Sequence, residues 1–146
     1  MPLLQPADAQ MRSLLESVQA IAVVGHSHKP ERPSYQIAQF LRQVGYQLYP
    51  VNPGRSEIGG LPCYRSLAEV PVAVDLVNVF RRSEHLPGIV EDAIAVGAKA
   101  LWAQLGIHHE GAAQRAAEAG LVVVTDACIK IEYLRLGLSG RSPSTR

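Results

Sequence analysis

The stretch of residues 21–34 constrains the fold of this chain more than any other part of its 146 residues. It begins with a short apolar run rich in β-branched residues, breaks at Gly25 and continues as a polar loop with two histidines, Lys29 and Arg32. Beyond the loop, apolar residues between positions 35 and 44 recur at helical spacing. The stretch therefore predicts a strand, a glycine turn, a basic loop and a helix. The free N–H groups of that helix face the end of a parallel strand, a geometry that binds phosphate.

The rest of the chain repeats this alternation of strand and helix. Strands are predicted at residues 20–24, 46–51, 72–80, 100–105 and 121–125. The alternation predicts an α/β fold: a doubly wound, five-stranded parallel sheet that is Rossmann-like, with helices on both faces. We expect the strand order 3-2-1-4-5, with a ligand crevice at the carboxyl ends of the strands, between the first and the fourth. Residues 1–138 are expected to form one domain, and residues 139–146 a flexible tail.

Composition argues against several classes of protein. A net charge of +1 gives no reason to expect nucleic acid as a partner. No apolar run approaches the roughly 20 residues that a membrane helix needs, and the N-terminal residues lack the pattern of a signal peptide. Cys63 and Cys128 match no metal-binding spacing, so we expect free thiols, no metal site and a cytoplasmic protein.

The ends of the first two strands indicate which nucleotide fits. The dinucleotide fingerprint is absent, because Ser27 stands where its second glycine would allow a pyrophosphate to approach. The second strand ends in Asn52 instead of the acidic residue that holds the ribose of NAD, and Arg55 follows. NADP or coenzyme A, which carry an additional ribose phosphate, therefore fit better than NAD. The basic groups available for that charge are Lys29, Arg32, Arg55, Arg81 and Arg82.

Segments spread over nearly the whole chain carry a resemblance to a known family. They are IAVVGHS (21–27), KPERPS (29–34), GY (45–46), PVNP (50–53), GLPCY (60–64), VDLVNVFR (74–81), LWAQLGI (101–107) and DAC (126–128) with Glu132. In these segments the chain resembles the small single-domain coenzyme A-binding proteins, which are related to the N-terminal nucleotide domain of the succinyl-CoA synthetase α subunit. The resemblance implies binding of coenzyme A or an acyl-CoA without catalysis. The catalytic phosphohistidine of the synthetase lies in a second domain that we expect this chain to lack.

The resemblance also implies which residues contact the ligand. Gly25 would allow close approach of the backbone. Ser27, Ser34 and the helix N-terminus would hold the pyrophosphate, and Arg32 and a further arginine would add charge. Asn52 and residues of the third strand would line the adenosine. The expected ligand-contacting residues are Gly25, Ser27, Lys29, Arg32, Ser34, Tyr35, Asn52, Pro53, Arg55, Val79, Phe80, Arg81, Trp102, Gln104 and Gly106.

Other functions remain open from the sequence. An NADP-dependent reductase needs a proton donor, for which His108 is the one candidate. A nucleotide-sensing regulatory subunit would dock to a larger enzyme, and a homodimer is a further possibility. If the ligand is coenzyme A, its thiol is able to form a mixed disulfide with Cys63 or Cys128. No nucleophile stands in a recognisable catalytic motif, so no catalytic residue is assigned.

Overall fold

A five-stranded parallel sheet runs through the structure, a computed structural model that describes residues 4–139. In chain order the strands are β1 (Ala20–Val24), β2 (Gln47–Val51), β3 (Glu57–Ile58), β4 (Leu61–Pro62), β5 (Leu76–Val79), β6 (Ala100–Ala103) and β7 (Val122–Val124). The short β3 and β4 form a separate antiparallel hairpin. The predicted tail of residues 139–146 lies, apart from Ser139, outside the described residues.

Five α-helices accompany the strands within the described residues. They are α1 (Asp8–Ser17), α2 (Pro33–Gln43), α3 (Leu86–Ala95), α4 (Glu110–Glu118) and α5 (Ile129–Arg135). Two short 3₁₀ turns, Leu67–Glu69 and Ser83–His85, complete the regular structure. No helix in this part of the chain is both long enough and apolar enough to cross a bilayer.

The sheet confirms the predicted fold class but not the predicted strand order. Its order is β2-β1-β5-β6-β7, which is 2-1-3-4-5 in terms of the five predicted strands. The order 3-2-1-4-5 is therefore wrong, because the third predicted strand pairs with the first, with Asn78 opposite Val23. The point where the strand order reverses lies between β1 and β5, and the expected ligand crevice moves with it.

Pro50 explains why β2 lies at the edge of the sheet. Proline has no N–H to donate, so it is confined to edge strands, and the order 3-2-1-4-5 would have placed it in the interior. The exposed side chain of Gln47 on the same strand agrees with an edge position. The connection from β2 to β5 then passes over β1 on the face opposite α2, because the crossover must be right-handed. Its apolar residues Leu67, Val70 and Val74 pack in the core of that opposite face.

The sheet is buried on both faces, as a parallel sheet should be. Alternate strand residues form two separate cores. One core lies under α3 and α4 and takes from the strands Ala22, Val24, Val77, Val79, Leu101, Ala103 and Val123. The other lies under α1, α2 and α5 and takes Ile21, Val23, Leu76, Ala100, Trp102 and Val124. This three-layer arrangement leaves the carboxyl ends of the strands free to build a site.

Asp75 sets the start of β5, which is shorter than the predicted strand at residues 72–80. Its carboxylate accepts the N–H groups of Gln19 and Ala20, each at 3.0 Å, and so joins the beginnings of β5 and β1. Burial alone would raise the pKa of Asp75, but these hydrogen bonds and the charge of Lys99 lower it below its usual value. An ionised carboxylate therefore holds the register of the two central strands.

Candidate functional site

Gly25 forms the turn at the centre of the carboxyl edge. Its N–H donates to Val51 O at 3.0 Å, and its φ of +85° lies in the left-handed region. A Cβ at this position would lie 2.9 Å from Cδ of Arg81 and 3.1 Å from the carbonyl carbon of Phe80. Both the backbone conformation and the space require glycine, so the end of β5 is able to approach the turn closely.

Two serines shape the loop between Gly25 and α2. The N–H of Ser27 donates to Oγ of Ser34 at 2.9 Å, and the N–H of Lys29 donates to Oγ of Ser27 at 3.1 Å. Arg32 occupies the N-cap position of α2 and gives no side-chain cap, while Pro33 starts the helix. The first N–H groups of α2 therefore have no capping side chain and are placed to bind an anion.

A cleft of about 320 Å³ lies between this loop and the end of β5. It is lined by Gly25, Ser27, Lys29, Arg32, Pro33, Ser34 and Phe80. The structure thus brings together six of the residues expected to contact a ligand, five from residues 25–34 and Phe80 from just after β5. Pro33, which lies between the expected residues Arg32 and Ser34, also lines the cleft.

A second cavity of about 160 Å³ shares Gly25 with the cleft and lies on the face of α3. Val24, Val51, Leu67 and Ile89 give it an apolar wall. Its other lining residues are Pro53, Arg65, Ser66, Arg81 and Asp92. Pro53 and Arg81 were expected to contact a ligand. Arg65 was not expected there, because it follows the β3–β4 hairpin and does not stand at the end of a predicted strand.

Asn52 and Arg55 connect the loop after β2 to the loop after β1. Nδ2 of Asn52 donates to His26 O at 2.9 Å, and Oδ1 accepts the N–H of Gly54 at 2.9 Å. Nη2 of Arg55 lies 2.9 Å from Nε2 of His28. The side chain of Asn52 is thus engaged in joining the two loops, while Arg55 remains exposed at their surface.

His26 and Tyr35 lie behind the loop instead of lining the cleft. Their rings make an edge-to-face contact with centroids 5.8 Å apart, beside a small cavity next to the β3–β4 hairpin. His26 is buried, and Nδ1 lies 2.8 Å from Ser27 O. Burial lowers the pKa of His26, so the ring is neutral and Nδ1 carries the proton that is donated to the carbonyl. Tyr35 is accordingly a supporting residue in this structure.

Four expected residues remain, and they lie at the end of β5, in β6 or in the loop after β6. Val79 and Trp102 are fully buried in the two cores, and the indole N–H of Trp102 donates to Ala127 O at 2.9 Å. Oε1 of Gln104, also buried, accepts the N–H of Ile129 at 3.1 Å. Gly106 is exposed, and its N–H donates to Oδ1 of Asp126 at 2.7 Å. None of these four residues lines either cavity.

Among the described residues, the basic side chains of the site take part in no salt bridge. Every salt bridge among the described residues lies elsewhere and involves Lys99, Arg115 or Arg135. In residues 4–139, no carboxylate pairs with the basic side chains of the carboxyl edge, which are Lys29, Arg32, Arg55, Arg65, Arg81 and Arg82. Such a group of unpaired cations beside a helix N-terminus is suited to an anion of several charges.

The described residues hold no group of metal ligands, and both of their thiols are buried. No three His, Cys, Asp or Glu side chains between residues 4 and 139 come together as metal ligands. Cys63 and Cys128 are free and buried, and the Cys63 thiol lies 3.5 Å from Asn52 O. Burial raises the pKa of the Cys63 thiol, which disfavours the thiolate that a mixed disulfide with coenzyme A would need.

Comparisons with known proteins agree with these features. A family model described as a CoA binding domain matches residues 19–134. The uncharacterized protein YneT of Bacillus subtilis is 40% identical over 128 residues, which cover 88% of this chain and 95% of YneT. The structure of a hypothetical protein from Pyrococcus horikoshii superposes with a TM-score of 0.88 at 36% identity, covering 93% of this chain and 96% of that protein.

A larger enzyme contains a similar segment. The ADP-forming acetate–CoA ligase II of Archaeoglobus fulgidus is 30% identical over 95 residues, or 63% of this chain. The match covers 14% of the ligase, so the chain corresponds to a small part of that enzyme.

Proposed function

Because the chain belongs to the CoA-binding domain family, whose model matches residues 19–134, we propose that it binds coenzyme A or an acyl-CoA along the carboxyl edge of its sheet. One observation carries the proposal: Lys29 and Arg32, which form no salt bridge among the described residues, line a cleft with the glycine turn and the uncapped N-terminus of α2. Arg81 lies beside the same turn. Coenzyme A carries a pyrophosphate and a 3′-phosphate, so its charge complements this surface. We further propose that the chain binds the ligand without catalysing a reaction.

The cleft beside α2 is the proposed pyrophosphate site. Gly25 lets the backbone come close to the phosphates, and the first N–H groups of α2 point to the same space. Ser27 and Ser34 are held there by their mutual hydrogen bond. Arg32 lines the cleft at the N-cap position, where its guanidinium is able to make charge-assisted hydrogen bonds to a phosphate.

The adenosine end is proposed to lie on the side of β2. The second cavity continues from Gly25 in that direction, and its apolar wall suits the face of an adenine ring. Arg55 and His28 lie at the surface of the two loops that Asn52 joins. Arg55 is therefore the proposed partner of the 3′-phosphate. NADP carries a phosphate on the neighbouring ribose oxygen, so it is the competitor that an experiment must include.

Removal of the Arg32 side chain tests the pyrophosphate site. For Arg32→Ala we expect coenzyme A affinity to fall by about 1 to 3 kcal/mol, the range for a hydrogen bond to a charged group. Calorimetric titration of both proteins measures the difference. Arg115→Ala serves as the matched control, because Arg115 lies on α4 and pairs with Glu91 at 2.9 Å, away from the site.

The two variants separate a local contact from a general effect of charge. Each removes one positive charge, so a long-range electrostatic effect would weaken binding in both. Loss confined to Arg32→Ala supports the proposed site. Unchanged affinity in Arg32→Ala would remove Arg32 from the ligand contacts and would leave the pyrophosphate without its proposed cation.

A further inference from the structure

Backbone strain is concentrated at the carboxyl end of β7. Among the described residues, Gln5 and Asp126 are the non-glycine residues with positive φ, at 51° and 54°. They are linked through Thr125, whose N–H donates to Oε1 of Gln5 at 2.5 Å. A left-handed backbone is unfavourable for a residue with a side chain and persists where its surroundings hold it, often at functional sites. Aspartate is one of the few residues with a side chain that adopt this region readily, because its short carboxylate hydrogen-bonds locally, and the partners of Asp126 show what holds it there.

Asp126 joins the loop after β6 to the loop after β7. Its Oδ1 accepts the N–H of Gly106 at 2.7 Å, and its own N–H donates to Ile107 O at 3.2 Å. Leu105 lies in the same loop and is 60% exposed, the most exposed large apolar side chain in the described part of the chain. The strained residue thus fixes a loop that presents an uncovered apolar group.

Distances along the sheet show which part of the ligand reaches this loop. β6 lies two strands from β1 and β7 three, so at a spacing of about 4.8 Å the two strands lie roughly 10 and 14 Å from the glycine turn. The pantetheine arm of coenzyme A, from pyrophosphate to thiol, is about as long as four extended residues, or roughly 15 Å. With adenosine on the β2 side, the arm is the part that extends toward β6 and β7.

We propose that Asp126 is a positioning residue for this arm. Its carboxylate holds residues 104–107 in the conformation in which Leu105 covers the apolar part of the arm. The inference rests on the proposed function, because it takes the pyrophosphate to lie in the cleft beside α2. It adds that the edge beside β1 and α2 binds the pyrophosphate, while the loops after β6 and β7 contact the arm of the same ligand.

Two substitutions at Asp126 separate its carboxylate from its backbone strain. Asp126→Gly removes the acceptor but accommodates the positive φ, so the chain should fold. Asp126→Asn keeps an acceptor and tolerates the left-handed region. The probes are coenzyme A and adenosine 3′,5′-bisphosphate, which lacks the arm. For Asp126→Gly we expect coenzyme A affinity to fall about tenfold and bisphosphate affinity to stay unchanged, with Asp126→Asn close to wild type.

A substitution on the exposed surface gives an independent check. Leu105→Ser alters no hydrogen bond of the loop and should show the same selective loss for coenzyme A. Equal weakening of both ligands in Asp126→Gly, or no weakening of coenzyme A in either Asp126→Gly or Leu105→Ser, would overturn the inference. A wild-type chain that binds no coenzyme A would instead contradict the proposed function.

Discussion

At the scale of single residues, the site depends on close approach at Gly25. The end of β5 passes so near to this turn that a methyl group has no room, and the backbone is left-handed as well. The sequence pointed to Gly25 because it interrupts an apolar run. It did not reveal which neighbour makes glycine necessary, since Arg81 is distant in the chain and reaches Gly25 through the pairing of β1 with β5.

Gly25→Ala is expected to destabilise the protein more than an ordinary glycine substitution in a left-handed turn. The positive φ and the overlap with Arg81 and Phe80 together should lower the free energy of unfolding by about 2 to 5 kcal/mol. Denaturant unfolding measures the change. Gly97→Ala is the matched control, because Gly97 has a φ of +73° but no atom within 4 Å of the added Cβ.

The control isolates the contribution of the close contact. Gly97→Ala should show the conformational effect alone, about 1 to 2 kcal/mol. If Gly25→Ala costs no more than this, the ends of β1 and β5 are not as tightly packed as the structure indicates.

At the scale of elements, the loop between β1 and α2 is held from behind by His26. The ring packs on Tyr35 of α2, lines a small cavity with residues of the β3–β4 hairpin and bonds to Ser27 O. Burial and the positive charge of Arg42 lower the pKa of His26. No acidic residue lines this cavity, and the hydrogen bond to Ser27 O, which favours the protonated ring, offsets the effect of burial only in part.

The protein should therefore lose stability in mild acid. Because the folded pKa of His26 lies below its ordinary value of 6.5, the unfolded chain takes up a proton first as the pH falls. The free energy of unfolding should then decrease from about pH 6.5 downward, by at most about 1.4 kcal/mol per pH unit, until the folded ring also protonates. Denaturant unfolding between pH 7.5 and 5 measures this slope.

His26→Asn provides the comparison for the acid effect. Asparagine has an N–H₂ group in place of the Nδ1–H donor but does not titrate, so this variant should show a flatter slope below pH 6.5. His85→Gln, at an exposed position, should retain the wild-type slope. Identical slopes in wild type and His26→Asn would mean that other groups control the acid sensitivity.

The elements also show where prediction from sequence succeeded and where it failed. Helix and strand positions followed from apolar spacing, and glycine turns marked their ends, so the fold class was predictable. Strand order was not obtained, because the alternation of elements is compatible with more than one order. Pro50 contained the missing information, since a proline in an interior strand would lose a ladder hydrogen bond. The start of β5 at Asp75 was also not obtained, because the hydrogen-bond partners of Asp75 are 55 and 56 residues away in the chain.

At the scale of the whole molecule, the carboxyl edge of one sheet collects the proposed site from distant segments. The contribution of residues 25–34 to the proposed site was predictable, because a strand, a glycine turn and a helix N-terminus follow one another directly. The second cavity and the link that Asp126 makes between two loops were harder to predict, because they depend on how β5, β6 and β7 line up beside β1. Sequence alone also did not distinguish residues that line the cleft from supporting residues such as Tyr35 and Trp102.

The central claim is that this edge binds coenzyme A, and calorimetric titration with coenzyme A, NADP, NAD and ADP tests it most directly. We expect coenzyme A to bind clearly more tightly than ADP, because the arm and the 3′-phosphate add contacts that ADP lacks. We expect no binding of NAD, since no acidic residue stands at the end of β2 to hold its ribose. Binding of NADP without binding of coenzyme A would contradict this claim and would indicate that the basic loop binds a 2′-phosphate.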